Sequence, residues 1–191
     1  EGKTIVTANL ALALAQTGQR VVLIDSDMRR PRQHEVFRVK DAGGLAGVLG
    51  GSTKLSQAVQ HTNRKGLWIL PAGPPPPNSA ELLGSERFRQ VLKALREHFD
   101  WIVIDSPPVM AVADAAVISH LATGVLFVVG CEQTSRHLAQ RAVRQLTTAK
   151  ATFLGAVLNR VNLKRNPYYY SHYYRHEYAK YYRSADDTGR A

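Results

Sequence analysis

Two apolar runs that each lead into aspartate, VVLIDSDMRRP at residues 21–31 and WIVIDSPPV at residues 101–109, decide the fold of this chain. Each begins with four consecutive apolar residues rich in valine and isoleucine, which is the pattern of a strand buried on both faces. The two prolines end the second strand, because proline has no amide hydrogen for the ladder. The runs therefore predict two buried strands whose carboxyl ends carry Asp25 and Asp105.

Helical and strand-like segments alternate along the rest of the chain. An apolar helical pattern at residues 4–16 precedes the first run and stops at Gly18. Alternation of buried strands with helices is typical of a doubly wound α/β fold with a mostly parallel sheet. The further predicted strands are residues 67–70, 125–129 and 153–158, and the further predicted helices are residues 85–98, 113–121 and 135–149.

Aromatic residues other than tyrosine are predicted to supply the core. They are Phe37, Trp68, Phe88, Phe99, Trp101, Phe127 and Phe153. The proline run at residues 74–77 predicts a connector. Asn78, followed three residues later by Glu81, predicts a capping box at the start of a helix.

Gly2-Lys3-Thr4, at the start of the first helix, is the closing half of a phosphate-binding loop. In such a loop the helix N-terminus faces phosphate oxygens, Lys3 bridges the outer phosphates and the Thr4 hydroxyl binds Mg²⁺. The same triplet also occurs as ordinary helix-start chemistry. Since the sequence opens inside the motif, we expect the first glycine of the loop and the strand that feeds it to lie upstream, in the middle of the sheet.

Acidic side chains follow both buried strands, at the sheet edge where ligands of doubly wound folds bind. Asp105 fits a carboxylate that holds Mg²⁺, often through water. Asp25 and Asp27 lie two residues apart on an extended segment, so they would point the same way and hold water on the metal or accept a proton. Capping of a following helix is the alternative for this pair.

Composition limits the classes of function. The 191 residues include 25 Lys and Arg against 15 Asp and Glu, a net charge of +10. The single cysteine, Cys131, excludes an internal disulfide and a paired-cysteine metal site. No apolar run reaches the roughly 18 residues of a membrane-spanning helix. A basic surface suits nucleic acid, anionic lipid or a phosphorylated ligand, and an ordinary solvated surface is the alternative.

The end of the chain differs from the rest. All eight tyrosines fall within residues 168–182, where they alternate with basic side chains. Six basic and three acidic residues give residues 164–191 a charge of +3, and this composition predicts a mobile tail. One alternative is a helix with a tyrosine at every fourth position of one face, and another is stacking on single-stranded nucleic acid, although no RNA-binding motif accompanies it.

VVLIDSDMRRP resembles the second aspartate motif (Walker A′), and WIVIDSPPV the Walker B motif, of bacterial protein-tyrosine kinases, the P-loop kinases that accompany control of exopolysaccharide and capsule chain length. PPPPNSAELLGSERF resembles the segment between these motifs, and the tyrosine cluster completes the pattern. Glu1 before Gly2-Lys3-Thr4 also resembles the kinase form of the loop. ParA/MinD-type ATPases share the P-loop but are not expected to carry the tyrosines. A positioning ATPase of that type, which binds DNA or membrane, is the alternative function.

The resemblance implies an ATP- and Mg²⁺-dependent autokinase with a kinase domain at residues 1–163 and a tail at residues 164–191. It assigns catalysis to Lys3, Asp25 and Asp27, with Asp25 preferred as the base. Nucleotide binding is assigned to Gly2, Lys3, Thr4, Arg29 and Asn159, and metal binding to Thr4, Asp27 and Asp105. The implied phosphate acceptors are Tyr168, Tyr169, Tyr170, Tyr173, Tyr174, Tyr178, Tyr181 and Tyr182. A salt-bridged surface is the alternative for Arg29 and its neighbour Arg30, and a turn is the alternative for Asn159.

The resemblance also implies partners. The tail of one subunit would enter the site of the next in a ring, and heavy phosphorylation would loosen the ring because each phosphate adds about −1.5 to −2 charges. A membrane anchor, in the same chain or in an adaptor, would hold the kinase at the cytoplasmic face of the inner membrane. A phosphotyrosine phosphatase would reverse the reaction, and no nucleic acid partner is implied.

Overall fold

The computed structural model describes residues 1–162. The elements in chain order are α1 (Lys3–Gln16), β1 (Val21–Asp25), α2 (Gln33–Phe37), α3 (Gly44–Gly50), α4 (Leu55–Ala58), β2 (Gln60–His61), β3 (Leu67–Leu70), α5 (Ser79–Gly84), α6 (Glu86–Arg96), β4 (Trp101–Asp105), α7 (Asp114–Leu121), β5 (Val125–Gly130), α8 (Arg136–Thr148) and β6 (Phe153–Asn159). Every strand and helix bounded in the sequence analysis is confirmed, with ends that shift by no more than two residues.

A four-stranded sheet with the order β2-β3-β1-β4 contains both aspartate-ending strands. β1 pairs in parallel with β3 on one side and with β4 on the other, while the short β2 is antiparallel to β3. All five residues of β1 are buried, as the uninterrupted apolar run predicts. The predicted α/β class with mostly parallel pairing is therefore confirmed.

β5 and β6 form a second, two-stranded parallel sheet. Their residues are less covered than those of β1, and Leu154 of β6 is 71% exposed. Phe153 is also exposed, so its assignment to the core was wrong. Within residues 1–162 the strands thus pair as two sheets, where the sequence predicted one.

An apolar groove of about 800 Å³ separates the two sheets. β4 and β5 line it, and each has one edge that pairs with no other strand in residues 1–162. Residues of α1, α7 and α8 complete its walls. Trp101 lines the groove and is 48% exposed, so it too was wrongly assigned to the core.

The main core packs β1 and β3 against helices on one face of the first sheet. α6 shows how the sequence builds it: the Ser85 hydroxyl accepts the Phe88 amide at 3.3 Å and caps the helix, which then buries Phe88, Val91, Leu92 and Leu95.

α5 begins one residue after Asn78, as predicted, but the predicted capping box was wrong. The Asn78 amide group instead donates to Glu81 at 2.9 Å, and neither side chain caps the helix backbone. None of the helices in residues 1–162 has the length and apolarity needed to span a bilayer.

Candidate nucleotide and metal site

The carboxyl ends of β1 and β4 bring two predicted acidic residues side by side. Asp25 lies directly opposite Asp105 in the parallel ladder, and both side chains are buried. The Ser26 amide donates to the Asp105 carbonyl at 2.9 Å, which extends the pairing past the strand end. Two buried carboxylates at one sheet edge concentrate negative charge, which suits a cation with hard oxygen ligands.

Backbone amides engage both carboxylate oxygens of Asp25. Oδ2 accepts the amides of Arg32 at 3.0 Å and Gln33 at 2.9 Å, and Oδ1 accepts the amide of Asp27 at 3.2 Å. Burial raises the pKa of Asp25 to about 6, although these hydrogen bonds oppose the shift. Asp25 thus holds the loop after β1 and caps the start of α2, the alternative that the sequence left open.

Asp27 lies nearer to solvent than Asp25. Its side chain is half-buried, and Oδ1 accepts the Arg30 amide at 3.0 Å. Burial is the main reason that the pKa of Asp105 is raised, and the nearby charge of Asp27 adds to it. Asp27 is therefore the more accessible and less engaged of the two carboxylates, and the role of Asp25 as proton acceptor stays a prediction.

Asp105 is held by side chains rather than by backbone. Oδ2 accepts the Gln33 amide group at 2.9 Å, and Oδ1 accepts the Thr7 hydroxyl at 3.4 Å. Burial raises the pKa of Asp105, while hydrogen bonds from Gln33 and Thr4 and the charge of Lys3 oppose the shift. The first helix and the end of β4 therefore meet at this carboxylate.

The phosphate-loop residues lie beside the end of β6. Gly2 has φ of 86°, and a Cβ there would lie 2.5 Å from Asn159 Nδ2, so both backbone and space require glycine. The Asn159 amide group donates to the Glu1 carbonyl at 2.9 Å. Lys3 Nζ lies 2.9 Å from Glu1 Oε2 and forms an ion pair. Asn159 thus contacts the loop, and its predicted position near adenine stays a prediction.

Arg29 forms the salt bridge that the sequence offered as its alternative role. Its Nε lies 3.6 Å from Asp114 Oδ2 at the start of α7. The Ser79 hydroxyl donates to the same oxygen at 2.8 Å, and Asp114 is buried. Arg29 therefore links the loop after β1 to α5 and α7, and its contact with a nucleotide stays a prediction.

Comparisons with known proteins identify the family. A family model described as an AAA domain matches residues 1–159. The putative tyrosine-protein kinase CapB of Staphylococcus aureus is 37% identical over 172 residues, which cover 90% of this chain and 75% of that protein. The chain belongs to the bacterial tyrosine-protein kinases.

Solved structures support the same family. The kinase domain of the Escherichia coli tyrosine kinase ETK matches with a TM-score of 0.79 at 34% identity, over 84% of this chain and 65% of that chain. The septum site-determining protein MinD of Pyrococcus horikoshii, complexed with Mg-ADP, matches with a TM-score of 0.70 at 29% identity, over 84% of this chain and 66% of that chain. The kinase therefore has the P-loop fold, and its position among tyrosine kinases is confirmed.

The residues of this kinase fit a magnesium nucleotide. Thr4, Asp27 and Asp105 offer hydroxyl and carboxylate oxygens, the donor type that Mg²⁺ prefers. No group of three acidic, histidine or cysteine side chains in residues 1–162 is arranged to hold an ion by itself. Because Mg²⁺ usually keeps several waters and is shared with substrate phosphates, these three residues would hold it together with a nucleotide.

Sequence reasoning missed two residues of the site in this kinase, Gln33 and Thr7. Both donate to Asp105, yet neither belongs to a motif quoted from the sequence as chemical. Thr7 carries a weak signal, because it follows the phosphate loop by one helical turn. Gln33 carries none, since a buried glutamine after an arginine-rich turn has no pattern of its own. The predicted phosphate acceptors at residues 168–182 lie outside the described residues.

Proposed function

We propose that this protein is an ATP-dependent tyrosine autokinase that phosphorylates the C-terminal tyrosines of a neighbouring copy. One observation carries the proposal. The helix that begins with Lys3 and Thr4 contacts Asp105 directly through Thr7 and indirectly through Gln33, and the chain carries eight tyrosines between residues 168 and 182. A phosphate loop, a metal-binding edge and a dense set of acceptors are the three parts that such a reaction needs.

Each part of the site has a chemical role in this proposal. ATP supplies the phosphoryl group, and Mg²⁺ neutralises charge on the phosphates when bound. The N-terminus of α1 and Lys3 would hold phosphate oxygens, and Thr4, Asp27 and Asp105 would hold the metal. A tyrosine hydroxyl with a pKa near ~10 is a weak nucleophile, so Asp27 accepts its proton.

Electrostatics would make tail binding sensitive to phosphorylation. The unmodified tail, residues 164–191, carries +3 and is attracted to an edge that contains Asp25, Asp27 and Asp105. Two phosphates add about −3 to −4 charges, which is enough to cancel that attraction. The ring in which each tail enters the next site would therefore loosen as phosphorylation proceeds, and a phosphotyrosine phosphatase would restore it.

The wider setting of the proposal is synthesis or export of surface polysaccharide at the cytoplasmic face of the inner membrane. Relatives bear names such as the capsule-related CapB and CpsD. A membrane anchor in the same chain or in an adaptor would place the site there. The basic composition, with a net charge of +10, would favour an anionic membrane surface.

We also propose that the kinase domain, which includes residues 1–163, has a further central strand. This strand would precede Glu1 and fill the apolar groove. Glu1 lies beside the carboxyl end of β5, since a Cβ at Gly130 would be 3.3 Å from its Cα. A strand that ends there would run parallel to β4 and β5. It would pair with the free edges of β4 and β5 and cover Trp101. The two sheets would then form a single sheet.

Phosphate mapping tests the proposed kinase activity. The full-length protein is incubated with ATP and Mg²⁺, and its phosphorylated residues are identified by mass spectrometry. We expect phosphate on tyrosines 168–182 and a loss of at least about a hundredfold in Lys3→Met, because the outer phosphates lose their cation. Lys65→Met, at an exposed lysine, is the matched control and should keep full activity.

A mixing experiment tests transfer between copies. A Lys3→Met protein with its tail supplies tyrosines, and an active protein that ends at Arg165 supplies the site. We expect phosphotyrosine on the Lys3→Met protein. If the Lys3→Met protein gains no phosphotyrosine in the mixture, transfer between copies is refuted. When each protein is incubated alone, phosphate on serine only in the wild type, or an unchanged signal in Lys3→Met, would refute the kinase function.

The match to MinD supports a second candidate, a positioning ATPase. This candidate predicts ATP hydrolysis that DNA or anionic vesicles stimulate, with no phosphotyrosine formed. The incubation with ATP and Mg²⁺ described above separates the two functions, because only the kinase transfers phosphate to tyrosine.

A further inference from the structure

Gln33 is a wholly buried polar residue between the two acidic strands and the first helix. Its Nε2 donates to the Thr4 carbonyl at 3.0 Å and to Asp105 Oδ2 at 2.9 Å. Both neighbours accept hydrogen bonds, so the amide nitrogen must face them and the amide oxygen must point away from them. The orientation of the Gln33 side chain is therefore fixed by its surroundings.

The backbone of Gln33 serves the other aspartate. Its amide donates to Asp25 Oδ2 at 2.9 Å. One residue thus joins the end of β1, the end of β4 and the first turn of α1. Any shift of α2 would move Asp25 and Asp105 together.

The amide oxygen of Gln33 has no hydrogen-bond partner within residues 1–162, although it is buried. A buried acceptor without a donor costs about 1–3 kcal/mol, so native structures seldom keep one. An apolar side chain of similar length would avoid that cost, so what the amide supplies here is the hydrogen bond from its nitrogen to Asp105.

We propose that Gln33 is a positioning residue of the metal site, which orients Asp105 through its amide nitrogen and holds Asp25 through its backbone amide. The proposal rests on the proposed function, because it needs a magnesium nucleotide at this edge. It adds a residue outside the motifs, with a role in metal affinity rather than in phosphate binding.

Metal binding tests the proposal without any transfer of phosphate. Mn²⁺ replaces Mg²⁺ as the probe, and its affinity for the full-length protein with ADP is measured by electron paramagnetic resonance. In Gln33→Met, which keeps the chain length and removes both polar atoms, we expect a loss of Mn²⁺ affinity of about 10- to 100-fold. The affinity for ADP without metal should change less than about twofold, since Gln33 contacts no predicted phosphate ligand except the Thr4 backbone.

Two further variants keep the test decisive. Gln60→Met is the matched control, because the Gln60 amide group donates only to the Lys40 carbonyl at the surface, and it should bind Mn²⁺ like the wild type. Gln33→Asn keeps the amide but is one carbon too short to reach both acceptors, so it should lose affinity like Gln33→Met. Thermal unfolding of each variant shows whether it is folded, so that a loss of Mn²⁺ affinity is not mistaken for a loss of folding.

The outcomes separate this proposal from the proposed function. If the wild type binds Mn²⁺ with ADP and both Gln33 variants bind it equally well, the positioning role is refuted and the kinase function stands. If the wild type binds no Mn²⁺ with ADP, both proposals are refuted. If the Gln33 variants lose the same ADP affinity with and without metal, the positioning role is also refuted, because Gln33 would then act on the nucleotide rather than on the metal.

Discussion

β1 and β6 have similar apolar sequences but very different surroundings. Every residue of β1 is buried between two paired strands, whereas most of β6 is exposed and its sheet has two members. The acidic half of the site stands on β1 and β4, and the phosphate loop is tied to β6 through Asn159 and Glu1. The acidic half thus lies in a well-packed sheet, whereas the phosphate half, residues 1–4, contacts both the acidic half through Gln33 and the exposed strand β6 through Asn159.

Leucine truncation in the two sheets should give the largest contrast. Leu23→Ala, in β1, removes a fully buried side chain and should lower the free energy of unfolding by about 2–5 kcal/mol. Leu154→Ala, in β6, removes a side chain that is 71% exposed and should change it by no more than about 0.5 kcal/mol. Urea denaturation followed by circular dichroism measures both. Equal losses would mean that the β5–β6 sheet is as well packed as the first.

The pH dependence of stability should report on the acidic half alone. Because the pKa of Asp25 rises from 3.8 to about 6 on folding, the folded state binds this proton more tightly than the unfolded state. The free energy of unfolding should therefore fall as the pH rises from about 4 to about 6, by up to roughly 3 kcal/mol for this group, and then level off. Urea denaturation at a series of pH values measures the slope.

Two substitutions test the source of that slope. Asp25→Asn should remove most of the slope and leave the part that comes from Asp105, whose pKa is also raised by burial. Glu86→Gln makes the same change in charge at a side chain that is 75% exposed, and it should leave the slope unchanged. An unchanged slope in Asp25→Asn would show that folding does not raise the pKa of Asp25.

Two glycines in the same conformation sharpen the comparison at the phosphate half. Gly2 has φ of 86° and Gly18 has φ of 89°, so alanine at either costs about 1–2 kcal/mol in backbone strain. Only the Cβ at position 2 meets Asn159, whereas nothing lies within 4 Å at position 18. We expect Gly2→Ala to weaken nucleotide binding about tenfold, as isothermal titration calorimetry measures, and Gly18→Ala to leave it unchanged. If Gly2→Ala and Gly18→Ala bound nucleotide equally well, the contact between position 2 and Asn159 would have no role in nucleotide binding.

Long or strongly apolar elements were predictable from local chemistry. Residues 21–25 and 101–105 form the expected strands because neither run offers a polar face that water could solvate. Three short helices, Gln33–Phe37, Gly44–Gly50 and Leu55–Ala58, were not predicted. They are too short to show a period, and packing rather than propensity stabilises them.

The site was predictable only where a motif lay next to a strand end. The ladder that joins Asp25 to Asp105 follows from parallel pairing, which the sequence predicted. Which aspartate stays accessible depends on the course of residues 26–33, and no local pattern encodes that course. The role of Gln33 depends on the same loop, since its contacts with Thr4 and Asp105 join residues 29 and 72 positions apart.

A crystal structure of the full-length protein with Mg²⁺ and a non-hydrolysable ATP analogue would show whether the phosphate loop and the acidic edge hold one magnesium nucleotide. We predict a triphosphate at the N-terminus of α1 and an ion about 2.1 Å from the Thr4 hydroxyl, with Asp27 and Asp105 bound to it directly or through one water. An ion that lies away from both aspartates, or a triphosphate bound elsewhere, would contradict this prediction.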